Sequence, residues 1–218
     1  MPIADARLRE HVRVAHVDPE TAPDRWVGGC DNRRMAGELV VVSGPPGAGK
    51  STIAARLAML REPSVLVEGD EFFAFLRRGR VDPWLSASDA QNTVVGEAAA
   101  SATGRFVAGG YWTVYDGVVG PWSIERFAIS THLQRLHYVV LLPDVETCVA
   151  RVAARVGHGF DDEPATRHMH AEFAGAEVDQ HHVVNDNSSD IDALVARIEA
   201  LIESGTIAIP VDADVDVD

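Results

Sequence analysis

The sequence predicts an α/β fold: a parallel sheet covered by helices on both faces. Two observations predict it. Short apolar runs alternate with stretches of helical length from residue 38 onward, and a glycine-rich turn stands where the first run meets the first helix. The runs are residues 38–43, 64–68, 111–115, 136–142 and 181–184, all rich in Val, Leu or aromatic side chains. Such runs, without polar alternation, suit strands buried on both faces. The helical stretches are 50–61, 88–108, 121–132, 145–156 and 190–203. In the last, Ile191, Leu194, Val195, Ile198, Leu201 and Ile202 recur with a 3.6-residue period and make one apolar stripe.

The flanks read differently. Residues 1–36 are polar and arginine-rich, broken at Asp18-Pro19 and Ala22-Pro23, and are expected to form an extension on a main domain of residues 37–205. Residues 206–218, ending VDADVDVD, are expected to be an acidic tail. The formal net charge of −14 opposes general attraction to nucleic acid or anionic lipid, so neither is an expected partner. No apolar run approaches the ~20 residues of a membrane span, and the first residues lack the apolar core of a secretory signal. The expectation is a cytoplasmic enzyme, monomeric or homodimeric. Cys30 and Cys148 have no metal-ligand spacing and read as buried reduced thiols. The nine histidines, His168, His170, His181 and His182 among them, lack the spacing of a zinc site and read as surface or strand-edge residues.

Residues 39–52, LVVVSGPPGAGKST, carry the strongest chemical signal. Gly44, Pro45, Pro46, Gly47, Ala48, Gly49, Lys50 and Ser51 fit G-x-x-x-x-G-K-[ST], with a strand before and a helix from Thr52 after. The glycines let successive N–H groups point into one concavity, and the helix N-terminus adds its positive end. Lys50 is the only lysine in the chain, every other cationic side chain being arginine. The position needs a compact ammonium that reaches β- and γ-phosphates, a role a planar guanidinium fills poorly. Ser51 is the candidate hydroxyl ligand of Mg²⁺. A second lysine is missing, which excludes the Asn-Lys-x-Asp element of guanine-specific switch proteins, and too little chain follows residue 52 for a large ring ATPase.

Two further segments complete a resemblance. Val67-Glu68-Gly69-Asp70 closes the second run, and Arg151-Val-Ala-Ala-Arg155-Val-Gly157-His158-Gly159-Phe160 follows the fourth. With the phosphate loop, these resemble the P-loop kinases that phosphorylate small molecules, especially the chloramphenicol phosphotransferase, gluconate kinase and shikimate kinase groups. Glu68 stands where those kinases usually have Asp, and an extra glycine separates His158 from Phe160. The resemblance implies an αβα sandwich with a five-stranded parallel sheet in the order 2-3-1-4-5, and a small lid over about residues 155–170. It also implies Mg²⁺ and ATP as cofactors, His158 near the ligand, and a loop about Asn187 passing near the adenine. An Asx turn capping the last helix explains the same loop.

In such a sheet, ligands bind beyond the carboxyl ends of the strands. Asp70 is the candidate base for the substrate hydroxyl, with a helix N-cap as the structural alternative. Glu68, on the same strand face, is the candidate to position that hydroxyl. Asp116 ends the third run and is a candidate for holding Mg²⁺ through water, or a turn residue before Gly117. Arg151 and Arg155, one helical turn apart, and Arg167 beyond them are candidates to meet transferred charge, or an ordinary solvated face. Phe73, Trp84 and Tyr115 are candidate walls of an apolar acceptor pocket, or core. The expected function is transfer of the γ-phosphoryl group of Mg·ATP to a hydroxyl of a small metabolite or antibiotic. Three alternatives stay open: a nucleoside or nucleotide kinase using Arg77, Arg78 and Arg80, a nucleotide-dependent regulatory ATPase, and a toxin-like kinase acting on an activated sugar.

Overall fold

The computed structural model describes residues 37–154, 162–186 and 190–211. Strand β1 (Leu39–Ser43) is buried throughout, which its run of valines requires. It is followed by α1 (Lys50–Ala58), β2 (Ser64–Glu68), α2 (Gly69–Phe73), α3 (Asp89–Ala108) and β3 (Trp112–Asp116). Then come α4 (Ile124–Ser130), β4 (Arg135–Leu141), α5 (Val145–Ala153), α6 (Glu163–Gly175), β5 (Val183–Val184), α7 (Ile191–Glu203) and β6 (Ala208–Pro210). The five parallel strands lie in the order β2-β3-β1-β4-β5, as expected from sequence.

Each sheet face has its own core. Val40, Val42, Val114, Val139 and Leu141 pack under Ile53 and Leu57 of α1 and Val195, Ile198 and Ile202 of α7. On the other face, Val41, Tyr115, Tyr138 and Val140 pack with Ala99 and Ala100 of α3, Phe127 of α4 and Phe173 of α6. Of the stripe predicted for the last helix, Val195, Ile198 and Ile202 are buried and Leu194 and Leu201 half-buried, while Ile191 is exposed at the start of α7.

Three elements differ from the sequence expectation. The sheet has a sixth strand: β6 runs antiparallel to β4, pairing Leu136 with Ile209 and His137 with Ala208. Residues 207–210 thus belong to the domain rather than to the acidic tail, and Ile207 is fully buried. The aspartates beyond residue 211 coloured the reading of a segment whose isoleucines feed both cores. The second difference is α6, a helix over the part of the expected lid that the structure describes, residues 155–161 lying outside the described residues. Asp162 caps it by accepting from the Ala165 N–H at 2.8 Å, and Phe173 anchors it in the core, 5.1 Å from the Trp122 ring. Third, His137 and His182 are buried, not at the surface. The Cys148 thiol is buried, as expected.

Candidate active site

The site is assembled at the carboxyl ends of β2, β3 and β1. Parallel pairing places Glu68 opposite Asp116 and Asp116 opposite Val42, so these positions share one row and one sheet face. With strands about 4.8 Å apart, that row puts Glu68 roughly 10 Å from the start of the phosphate loop. β3 lies between β2 and β1, so Asp70 faces the loop across the end of β3 rather than beside it. Asp116 is only 8% exposed, whereas Asp70 and Glu68 are exposed. Glu68, not Asp70, occupies the N-cap position of α2, and it makes no side-chain capping bond. Asp70 lies in the first turn, so the capping alternative does not account for it.

The phosphate loop is pressed onto its neighbours. Gly44 has φ 140° and Gly47 φ 79°, and a Cβ on either would lie 2.2 Å from a backbone oxygen, of Leu141 and of Cys148 respectively. Only glycine tolerates both the dihedral and the approach. The helix begins without a side-chain cap, and its first bond is Ile53 N–H to Gly49 O at 3.2 Å. The amides of Lys50, Ser51 and Thr52 precede that bond and have no intrahelical acceptor. The Lys50 Nζ folds back over the loop, donating to Gly44 O at 3.0 Å and Pro45 O at 3.1 Å. Ser51 and Thr52 are exposed. A helix start without a cap, glycine-shaped backbone and an ammonium over the same loop fit a polyphosphate.

Arg151 reaches this loop from α5, its Nη1 donating to Ala48 O at 3.4 Å. The buried Cys148 thiol beneath is pushed up by burial, against the lowering effect of the Arg151 and Lys50 charges. Both cations therefore bear on the same spot. Arg167 is placed otherwise. It donates to both Glu146 carboxylate oxygens at 2.7 and 3.0 Å and to Glu163 Oε1 at 2.8 Å, stapling α6 to α5. Those bonds hold Glu146 below the usual carboxylate range. Arg155 and His158 lie outside the described residues, as does Asn187.

The aromatic candidates separate as well. Tyr115 is core: its ring packs 4.7 Å from that of Phe127, and no more than 5% of the residue is exposed. Burial first, then the Asp70 and Asp116 charges, push its hydroxyl well above the usual tyrosine range, so it remains a neutral phenol. Phe73 and Trp84 are half-buried. The segment carrying Trp84 is fastened to α3: Gln91 both donates to Val81 O and accepts from Val81 N–H, and Asn92 donates to Pro83 O. Phe75, two residues after Phe73, is 71% exposed.

One contributor escaped the sequence reading. Ser43, buried at the end of β1, donates to Val119 O at 2.7 Å and accepts from Val119 N–H at 3.0 Å. Tyr138 donates to the same carbonyl at 2.7 Å. Together they fasten the segment after Asp116 to the strand that launches the phosphate loop. Its signal was a polar residue closing an apolar run. A groove of about 410 Å³ between α4, β6 and residues 177–182 includes none of the candidate site residues. Among the described residues no helix is long and apolar enough to cross a membrane.

Comparison with known proteins agrees with this fold. The fold is similar to that of a sugar kinase from Janibacter sp. HTCC2649, at 19% identity over 77% of this chain and 95% of that one, with a TM-score of 0.60. It is also similar to the tunicamycin resistance protein of Deinococcus radiodurans (17% identity, 76% and 95% covered, TM-score 0.57). A third similar structure is shikimate kinase from Acinetobacter baumannii in complex with shikimate (18% identity, 80% and 97% covered, TM-score 0.53). At these identities the likeness is one of fold. No curated protein matches the chain in sequence. The family model described as an AAA domain matches residues 39–176, a span that holds the phosphate loop, Asp70, Asp116 and Arg151. The chain belongs to that family, and its fold is that of a nucleotide-binding P-loop kinase domain.

Proposed function

We propose that the chain is a Mg·ATP-dependent phosphotransferase whose acceptor is a hydroxyl on a small molecule. The observation that carries this reading is the shared row at the strand ends. A loop shaped for polyphosphate follows β1, and carboxylates stand at the end of β3 and in the β2–α2 turn beside it. Lys50, the loop amides and Arg151 bind and orient the triphosphate. Asp70 takes the proton of the acceptor hydroxyl as its oxygen bonds to the γ-phosphorus and the bond to the β-phosphate oxygen breaks, releasing ADP. Mg²⁺, for which Ser51 and Asp116 are the candidate holders, supplies neutralisation of charge on the β- and γ-oxygens.

The acceptor is a molecule with apolar surface, a reading supported by Phe73, Trp84 and exposed Phe75 near Asp70 in the chain. Arg77, Arg78 and Arg80 are exposed in the same segment and keep a nucleotide acceptor as the second reading. The test pairs calorimetry with a panel of alcohols, antibiotics and nucleotides incubated with radiolabelled ATP. Mg²⁺-dependent ATP uptake and label on a non-nucleotide alcohol are expected. No Mg²⁺-dependent uptake would remove the assignment. In Asp70→Asn, turnover should fall about 10²–10⁴-fold, the range of a lost general base, with ATP affinity retained.

A further inference from the structure

We infer that Tyr115 is a positioning residue: its phenol tip, seated between Gly69 and Gly117, sets the spacing of Asp70 and Asp116. The approach is very close on both sides. A Cβ on Gly69 would lie 2.3 Å from the Tyr115 Oη and 2.8 Å from its Cζ. A Cβ on Gly117 would lie 2.7 Å from Cε1 and 3.0 Å from Oη. The backbone at both glycines therefore rests on one phenol.

Those glycines stand next to the two carboxylates, Gly69 preceding Asp70 and Gly117 following Asp116. The ladder between β2 and β3 ends at the pair Glu68–Asp116. Beyond it, the tyrosine tip is what both continuations touch. The ring is fixed from behind by Phe127 and the surrounding core, so it acts as a stop against which the two turns settle. Charge bears on the hydroxyl from Asp70 of α2 and from Asp116 at the end of β3 itself, while α4 presents the apolar Phe127. A buried hydroxyl carries a desolvation cost that phenylalanine would avoid. Spacing the turns is what the oxygen adds.

The inference rests on the phosphotransferase reading only for its effect on turnover. Tyr115→Phe keeps the ring and removes the tip, letting both turns close in. Amide proton–nitrogen spectra of the full chain should then show residues 69–71 and 116–118 shifting together, with residues 44–51 in place. Mg·ATP affinity should stay within about twofold while turnover of ATP falls roughly 10- to 100-fold, as a displacement of about 1 Å implies. Gly69→Ala approaches the same contact from the other side, forcing the turn off the phenol, and should shift the same two groups of amides. Shifts confined to Phe127 and its core neighbours, or unchanged turnover in both variants, would overturn the inference. If the unaltered chain takes up no Mg·ATP, the phosphotransferase reading fails by itself, and the spectra still decide the role of Tyr115.

Discussion

The two ends of the sheet use the same residue types in opposite ways. At the amino end, cations meet carboxylates: Arg61 and Arg135 reach Glu38 at 3.0 and 3.3 Å, and the Arg61 guanidinium also lies 4.1 Å over the Trp112 ring. At the carboxyl end, two cations are fastened to the backbone of the phosphate loop. Lys50 holds the carbonyls of Gly44 and Pro45, and Arg151 that of Ala48. A cation that also donates to backbone carbonyls is held in place over the loop those carbonyls belong to, where an arriving anion can meet it.

Substitutions at the two ends test that contrast. The largest effect is expected from Lys50→Ala, which removes the ammonium from the phosphate loop. Calorimetry should show Mg·ATP binding weakened by roughly 2–4 kcal/mol, or about 30- to 1000-fold, because charge-assisted bonds to phosphate are lost. Its melting temperature should stay within a few degrees of the unaltered chain. The mirror experiment is Glu38→Gln at the other end. It should leave ATP affinity unchanged and cost about 1 kcal/mol of stability by chemical denaturation, since the ion pairs are partly exposed and screened. ATP affinity that falls with Glu38→Gln would break the comparison.

A smaller effect follows from His137. Burial holds this imidazole below the usual histidine range, so the folded state resists its protonation. The unfolded chain takes up that proton as the pH drops through about 6.5, so the stabilisation present above this value is lost on acidification. His182, also lowered by burial, acts in the same direction. Denaturation at pH 7.5 and 5.5 should therefore show a loss that His137→Leu reduces in part. The smallest effect is expected at Arg167. Its bonds to Glu146 and Glu163 are exposed, and Arg167→Ala should change turnover less than twofold, an outcome that a direct role on phosphate would contradict.

Much of this was legible in the sequence, for stated reasons. The parallel sheet follows from alternation and a loop motif whose context is a strand before and a helix after, while the order of its five strands came from the kinase resemblance. Those signals are local and repeat. The strand-end positions of Asp116 and Glu68 were legible because a polar residue ending an apolar run points to the strand end. Tyr115 was not, because a strand buried on both faces carries no alternation to say which way a side chain points. Arg167 sits one helical turn beyond Glu163, but its main partner, Glu146, is on another helix. Strand β6 was hidden for a third reason: three residues pairing through backbone atoms leave almost no side-chain pattern.

That last strand has a practical consequence for anyone trimming the chain. β5 and β6 divide one flank of β4 between them, β5 at Val140–Leu141 and β6 at Arg135–His137. Pro210 closes the flank with a residue that lacks an N–H to offer an incoming strand. A fragment cut at residue 205 would strip this border and bare a row of unsatisfied peptide groups, inviting self-association in the test tube, whereas one carried through residue 211 keeps its margin sealed.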